Sequence, residues 1–401
     1  MVEKRHIRVA DLRGYSRLAI DATLGLTSLV EIMHHNILRV PGVLGEATRQ
    51  PARGLTGFVY MSIRGVTRLV GGGMDMLLGQ LASMPGNGAS TVEREAILAA
   101  LNGVLGDHLL ATGNPLAIPM QMRRDGEALE LTRTALKAAI PDATGKVLLL
   151  AHGLCMNDRQ WRRNGHDHGA ALAAHAGFTP VYLHYNSGLH VSTNGRELAG
   201  QIEALMRAWP VRVDDLVILA HSMGGLVVRS ACRHGEVAGH AWLRGLRKIV
   251  FLGTPHQGAP LERGGHWIDV ILDASPYTTA FARLGKIRSA GITDLRHGSM
   301  SDVDWEQDDR FARSRRKPAI VPLPQNVACH AIAASIVKKT GAPMQRLLGD
   351  GLVPLDSALG LHADARRSLG LPKSRCWVGY GMNHMDLLDR KEVYARIRRW
   401  L

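Results

Sequence analysis

One short segment constrains the fold of this 401-residue chain more than any other. Residues 216–220 form an apolar run with the composition of a buried strand, and a helical pattern begins directly after Ser222. Ala220 and Gly224 lie two positions before and after that serine. A strand that turns so abruptly into a helix strains the backbone at the serine, and small flanking residues keep adjacent chain from colliding. The pattern therefore predicts that the Ser222 hydroxyl is presented as a nucleophile.

The same pattern also fits a serine at a helix N-terminus followed by a glycine for close packing. Two later segments favour the nucleophile. Asp350 lies in a glycine-flanked turn beyond an apolar stretch, and His384 ends a turn that follows another short apolar stretch. A nucleophilic serine requires a base and an orienting carboxylate, and they occur here in the order serine, aspartate, histidine. Asp356 and Asp386 stay open as alternatives to Asp350.

Four motifs in this order resemble those of the α/β-hydrolase superfamily, and within it the serine lipases and esterases. A looser similarity links the chain to bacterial relatives of the GPI inositol deacylases. The resemblance covers roughly residues 113–401, and the motifs that carry it are residues 220–225, 252–258, 349–354 and 381–384. It implies hydrolysis of carboxylic esters through an acyl-enzyme, with Ser222, His384 and Asp350 as the triad and with no cofactor or metal.

A serine that accepts an acyl group also needs two N–H donors for the oxyanion. Met223 is expected to supply one, because it opens the helix directly after the nucleophile. The second is expected in the loop after the apolar run 147–151, which begins with His152 and Gly153. By resemblance to lipases with a His-Gly motif, Leu154 is the donor and Gly153 lets the backbone approach. An ordinary turn at a strand end is the alternative for this loop.

The rest of the second half alternates between apolar runs and helical patterns, which predicts a mostly parallel sheet with helices on both faces. An Asp125-Gly126 turn signal predicts a hairpin before that sheet. Helices are expected near 195–209, 225–233 and 390–400. The expected strands are residues 116–122, 128–131, 147–151, 180–185, 217–220, 248–252, 327–335 and 377–380.

Two regions lie outside this pattern. Residues 257–325 form a segment that is too long for a simple strand-to-helix-to-strand crossover. This length predicts a cap over the site or, alternatively, extra helices on the surface without a gating role. Residues 1–112 carry three amphipathic helical patterns and predict a helical N-terminal appendage, with the hydrolase domain at 113–401. The second pattern runs from Leu55 to Leu81. We leave open whether the apolar stripes pack against protein or contact a lipid surface.

Charge and cysteine content set looser limits. The net charge is +14, and a basic cluster in the predicted cap either attracts anionic lipid or acyl substrates or is a solvated face. That cluster comprises Arg310, Arg313, Arg315, Arg316 and Lys317. The four widely spaced cysteines are expected as reduced thiols. The sequence His166-Asp167-His168 is expected to be a polar loop rather than a metal site.

The alternatives to an ester hydrolase are an acyltransferase with the same triad and a non-catalytic scaffold that binds lipid or protein partners. We expect a small-molecule or lipid ester as substrate. Nucleic acid is not expected as a partner, because no nucleic-acid-binding motif occurs. The first eight residues lack the apolar core of a signal peptide, so a cytoplasmic location is expected, with peripheral membrane association open. The acyl chain length, the alcohol and the oligomeric state do not follow from these residues.

Overall fold

A computed structural model of the chain describes residues 9–37, 91–259, 289–305, 317–338 and 349–401, with side chains in the first range from residue 10 to residue 24. The strands are β1 Gln121–Arg124, β2 Glu127–Ala128, β3 Lys146–Ala151, β4 Thr179–His184, β5 Asp215–His221, β6 Leu246–Leu252, β7 Ala328–Ser335 and β8 Cys376–Tyr380. The helices are α1 Val9–Ile37, α2 Val92–Ala111, α3 Arg133–Ala139, α4 His168–Ala176, α5 Val191–Ala208, α6 Met223–Ala238, α7 Ala290–His297, α8 Leu355–Ala358 and α9 Lys391–Trp400.

The strands form a single eight-stranded sheet in the order β2-β1-β4-β3-β5-β6-β7-β8. The strands from β3 to β8 pair in parallel, while β1 is antiparallel to both β2 and β4. The β1–β2 hairpin turns at Asp125 and Gly126, which both have positive φ. The carboxyl ends of the central strands β3, β5 and β6 therefore meet at one edge, where open α/β sheets bind ligands.

Continuous apolar runs build the central strands because both faces of the sheet are covered. Leu149 and Ile218 belong to one buried cluster, together with side chains of α5 and α6. Leu148 and Val217, each one residue earlier, belong to a second cluster with side chains of α4 and α9. Successive residues of a strand thus pack in two different buried clusters. This alternation fixes the register of the strands and, with it, where each strand ends along the sheet.

The chain divides into two compact units. The smaller comprises Met1–Thr91 and Leu109–Ala117, and the larger comprises Val92–His108 and Ile118–Leu401. Most of α2 therefore belongs to the larger unit, together with the sheet. The boundary expected at residue 112 stays a prediction.

The predicted mostly parallel sheet with helices on both faces is confirmed, as are the hairpin and an N-terminal helix. The helical pattern from Leu55 to Leu81 lies outside the described residues. Of the predicted cap at 257–325, the structure describes 257–259, 289–305 and 317–325, so a covering role stays a prediction, and of the basic cluster it describes only Lys317. In the described part of the chain, no helix is both long and apolar enough to cross a membrane.

Candidate active site

Ser222 lies at the turn between β5 and α6, at the carboxyl edge of the sheet. Its backbone has φ 54° and ψ −127°, a conformation that side-chain-bearing residues rarely adopt. The Ser222 N–H donates to the Leu252 carbonyl of the neighbouring strand at 2.8 Å, which holds the strained residue in place. A Cβ at Gly224 would lie 2.5 Å from the carbonyl oxygens of Ala151 and His152. A side chain at Gly224 would therefore collide with the backbone at the end of β3.

Asp350 and His384 form a buried pair at the same edge. His384 Nδ1 lies 2.7 Å from Asp350 Oδ2, and the His384 backbone N–H donates to the Asp350 carbonyl at 3.1 Å. The other carboxylate oxygen accepts from the N–H groups of Leu352 and Val353 at 3.0 and 2.8 Å. Asp350 is 1% exposed and His384 2% exposed. The carboxylate is therefore fully hydrogen-bonded, and it fixes the orientation of the imidazole.

The imidazole of His384 lies next to the nucleophile turn. Its ring centroid is 4.7 Å from that of His221, the residue before Ser222, and a Cβ at Gly253 would lie 3.0 Å from His384 Cε1. Burial, and then the neighbouring His384, lower the pKa of His221 well below its usual range, so His221 is neutral. His384 Nε2 is buried and has no hydrogen-bond partner among the described residues. This nitrogen is thus left available to accept a proton; catalytic hydrogen bonds are often long before a substrate binds.

The loop after β3 approaches the same serine. A Cβ at Gly153 would lie 2.9 Å from Ser222 Cβ, so the backbone of this loop passes beside the nucleophile. His152 anchors the loop, because its ring stacks on Tyr185 at 4.4 Å and its carbonyl accepts from the Tyr185 hydroxyl at 2.9 Å. Burial lowers the pKa of His152 to about 3 and keeps it neutral. Leu154 follows directly, and both Leu154 and Met223 are buried. Met223 is the first residue of α6, so its N–H has no partner within the helix.

Sequence reasoning missed the packing of α2 on this loop. A Cβ at Gly103 would lie 2.2 Å from Cys155 Sγ and 3.0 Å from the backbone of Cys155. Cys155 has φ 59°, and its N–H donates to Ser187 Oγ at 3.0 Å. Gly106 approaches Asn186 as closely, and the Asn186 side chain donates to the Gly106 carbonyl at 3.0 Å. The two glycines of α2, three residues apart on one helix face, were the available signal.

Asp386, one of the two rivals of Asp350, and the segment 166–168 make contacts of their own. Asp386 accepts from the Asn383 N–H at 2.9 Å and pairs with Arg390, whereas Asp350 is bonded to His384. In the segment 166–168, Asp167 caps the N-terminus of α4 by accepting from the Ala170 N–H. The three residues Ser222, His384 and Asp350 come together with Gly153, while their catalytic roles stay predictions.

Comparisons with known proteins complete this description. Residues 142–334 match the family model of the PGAP1-like alpha/beta domain. Among curated proteins, none matches this sequence.

Several solved structures are similar to this chain. Mature lipase BlEst2 of Bacillus licheniformis is 16% identical, with 64% of this chain and 91% of that chain covered and a TM-score of 0.42. Lipase B of Aspergillus fumigatus is 10% identical, with coverages of 96% and 82% and a TM-score of 0.39. Esterase Pf2001 of Pyrococcus furiosus is 12% identical, with coverages of 65% and 81% and a TM-score of 0.37.

The family-model match confirms the resemblance drawn from the sequence motifs over residues 142–334. The matched residues span β3 to β7, including the turn at Ser222 and the loop that begins at His152. Strand order, helices on both faces and the strained serine between β5 and α6 agree with that match. The chain therefore has an α/β-hydrolase fold, and its residues 142–334 match the PGAP1-like alpha/beta domain.

Proposed function

We propose that this protein is a serine hydrolase that cleaves carboxylic esters. The observation that carries the proposal is the buried hydrogen bond of 2.7 Å between His384 Nδ1 and Asp350 Oδ2, beside a serine in strained backbone. A histidine held this way by a carboxylate carries its proton on Nδ1 and leaves Nε2 free to act as a base. Strain at one residue is retained where the surrounding structure enforces it, and such residues cluster at active sites.

In the proposed reaction, Ser222 Oγ attacks the ester carbonyl carbon while His384 Nε2 takes the hydroxyl proton. The negative charge that develops on the carbonyl oxygen is stabilised by the N–H groups of Leu154 and Met223. The tetrahedral intermediate collapses, the bond to the alcohol oxygen breaks, and His384 returns the proton to that oxygen. Water then attacks the acyl-enzyme by the same route and releases the acid. Asp350 stabilises the imidazolium that forms when His384 takes the proton.

The nucleophile is tested with a fluorophosphonate probe, which reacts only with an activated serine, and with p-nitrophenyl butyrate as a soluble ester. We expect the wild-type protein to be labelled and active and Ser222→Ala to lose both properties. Ser230→Ala is the matched control, because Ser230 lies on the same helix α6 with its hydroxyl bonded to the Met300 carbonyl at 2.8 Å. Labelling that persists in Ser222→Ala would show that another residue is the nucleophile.

The carboxylate is tested by comparing Asp350→Asn with Asp386→Asn. Removing the orienting acid of the best-studied triad lowers turnover by on the order of 10⁴-fold, because the histidine takes the wrong tautomer. We expect a loss of that size for Asp350→Asn and a small effect for Asp386→Asn, whose carboxylate bonds Asn383 and Arg390. The reverse ranking would exclude Asp350 as the orienting acid.

The acyl acceptor and the acyl chain are tested on the same protein. Adding an alcohol during turnover separates hydrolysis, which we propose, from acyl transfer. A hydrolase releases mainly the free acid, whereas a transferase passes most of the acyl groups to the added alcohol as an ester. A series of p-nitrophenyl esters from acetate to palmitate then measures the preferred chain length.

A further inference from the structure

A cavity of about 260 Å³ lies between the loop after β6 and two segments of the C-terminal half, 317–323 and 362–369. Its lining is partly apolar, and the charged side chains in it are all basic. Among the described residues that line it, none is an aspartate or glutamate, and the basic and imidazole groups include Arg229, Lys317, Arg366, Arg367, His256 and His362. Such a concentration of one sign of charge raises the local concentration of ligands of the opposite sign.

Two of these side chains are buried and present hydrogen-bond donors without a partner. Arg229 Nη1 lies 3.3 Å from His256 Nδ1, and a guanidinium can only donate, so Nδ1 accepts. Burial, and then Arg229, lower the pKa of His256 well below its usual range, so the ring is neutral and its proton is on Nε2. Within the described part of the chain, neither His256 Nε2 nor Arg229 Nε has a hydrogen-bond partner. Arg229 Nη2 donates to the Val321 carbonyl. His256 is 2% exposed and Arg229 3% exposed, so an acceptor bound in the cavity would offset the cost of burying the two remaining donors.

The remaining cations stand nearer to solvent, and the two arginines among them have bonding partners. Arg367 Nη1 donates to the Pro318 carbonyl at 2.9 Å, which ties the two outer segments together. Arg366 pairs with Asp364 at 2.9 Å, a carboxylate that is not part of the lining. Lys317 is exposed. Donors thus approach the cavity from α6, from the loop after β6 and from both outer segments.

We propose that this cavity binds the phosphoryl group of a small ligand. A phosphoryl group carries up to two negative charges and several acceptor oxygens, and arginine is the preferred partner for that geometry. A single carboxylate would be satisfied by one guanidinium and would leave the remaining donors without acceptors. The volume lies just below the range of about 300 to 1,000 Å³ that is usual for drug-sized ligands, so the cavity fits a headgroup rather than a whole lipid.

The same loop connects this cavity to the candidate active site. Gly253, at the start of the loop, lies against His384, and His256 is three residues further along. The phosphoryl group therefore belongs either to free phosphate or to the ester substrate itself, as in the headgroup of a phosphorylated ester. The second source rests on the proposed function, whereas binding itself does not.

Binding is tested by calorimetric titration of the full chain with inorganic phosphate at constant ionic strength. Two substitutions at one position isolate the donor on Nε2. Both His256→Phe and His256→Gln remove the Nδ1 acceptor, but only the glutamine keeps an N–H group near the position of Nε2. We expect His256→Phe to weaken binding by about tenfold or more and His256→Gln to weaken it much less. No saturable binding to the wild-type protein, or equal affinity of the two variants, would overturn the proposal.

Substitutions at exposed residues of the lining test phosphate binding even if a change at the buried His256 disturbs folding. Lys317→Ala combined with Arg366→Ala removes two outer charges, and we expect affinity for phosphate to fall several-fold and the salt dependence of binding to decrease. The matched control is Arg207→Ala combined with Arg212→Ala, two exposed arginines outside the lining that pair with Glu203 and Asp214. Equal affinities of the two double variants would contradict the assignment.

The two sources are separated by turnover of 1-butanoyl-glycerol 3-phosphate and 1-butanoyl-glycerol. If the substrate supplies the phosphoryl group, the phosphorylated ester has the higher kcat/KM, inorganic phosphate competes with it, and the preference falls in the Lys317 and Arg366 double variant. If phosphate binds as a free ligand, both esters react alike while calorimetry still detects binding. Both outcomes support the site. Titration of Ser222→Ala keeps the two proposals separate, because phosphate binding should persist there without any hydrolysis.

Discussion

Two helices of the N-terminal region, α1 and α2, are held by contacts of different kinds. Gly14 of α1 packs on Leu116, where a Cβ would lie 2.2 Å from Leu116 Cγ, and its carbonyl accepts from the Asn114 side chain at 3.1 Å. These residues all belong to the smaller compact unit. Gly103 and Gly106 of α2 instead lie against the loops at Cys155 and Asn186, inside the larger unit. One helix is anchored on its own unit, and the other supports the candidate active site.

The difference shows what a close glycine contact does in each place. A glycine inside a helix costs roughly 0.5 to 1 kcal/mol relative to alanine, so two of them three residues apart need a compensating contact. In α2 that contact is made with a loop residue at φ 59°, Cys155, which follows directly after the proposed oxyanion donor Leu154. The backbone of α2 therefore fixes a strained loop whose position decides where the Leu154 N–H lies.

Two truncations are expected to give the largest difference in ester turnover between loss of α1 alone and loss of both helices. Removal of residues 1–90 leaves α2 in place, whereas removal of residues 1–111 takes it away. We expect the first protein to hydrolyse p-nitrophenyl butyrate measurably and the second to lose about 100-fold or more, because a displacement of about 1 Å at an active site already costs about 10²-fold. Equal activities of the two truncated proteins, at equal folded fraction by circular dichroism, would show that α2 does not support the site.

A substitution within α2 is expected to have the next largest effect. Gly103→Ala places a Cβ 2.2 Å from Cys155 Sγ and 3.0 Å from its backbone, so the loop has to move. We expect a loss of about 1 to 3 kcal/mol in the free energy of unfolding and a fall in kcat of between about 10- and 100-fold. Urea unfolding and ester turnover measure both quantities.

Gly200→Ala is the control for that substitution. Gly200 lies on the exposed face of α5, and a Cβ there meets no atom within 4 Å. Alanine is the better helix former by about 1 kcal/mol, so this variant should be slightly more stable and fully active. A loss in Gly200→Ala as large as that in Gly103→Ala would mean that helix propensity or protein handling, rather than contact with the loop, explains the result.

The sheet and the Ser222 turn could be predicted because local residue patterns determine them. The central strands were indicated by continuous apolar runs, and their carboxyl edge by the abrupt change in apolar periodicity at Ser222. Both signals depend only on residues within a few positions of each other. Asp350 and His384 could be predicted because topology brings the ends of parallel strands together. The first strand was misjudged: the apolar stretch 116–122 forms a strand only from Gln121, since Leu116 and Ile118 bury their side chains outside the sheet.

The role of α2 could not be predicted in the same way. Its apolar stripe indicated a helix with one buried face, and Leu101 and Leu109 are indeed fully buried. Periodicity does not specify which surface covers that face, because the contacts at Cys155 and Asn186 are distant in sequence. The cavity beside His256 could not be predicted for the same reason, because Arg229, Lys317 and His362 come from three separate segments of the chain.

A smaller effect is expected from Ser187→Ala, which leaves α2 intact and removes one restraint on the loop. Ser187 Oγ accepts from the Cys155 N–H at 3.0 Å in a buried environment. Leaving that N–H without a partner costs about 1 to 3 kcal/mol, part of which the loop recovers by moving. We expect kcat to fall about tenfold or less with KM little changed, since ground-state binding does not use the oxyanion donors. A change confined to KM would indicate that Ser187 contacts the substrate instead of the loop.

The smallest effect on activity is expected from Asn114→Ala, which has a matched partner in Asn102→Ala. Each buried asparagine accepts one backbone N–H and donates to one backbone carbonyl: Asn114 bonds Leu116 and Gly14, and Asn102 bonds Ile118 and Leu98. Each substitution removes at least these two bonds, which are worth about 0.5 to 1.5 kcal/mol apiece. Because Asn114 anchors α1 and Asn102 precedes Gly103, we expect Asn114→Ala to increase amide exchange in α1 at unchanged ester turnover. Asn102→Ala should lower turnover together with the stability of the larger unit. If Asn114→Ala lowered turnover as much as Asn102→Ala, α1 would support the site as directly as α2 does, and the distinction between the two helices would not hold.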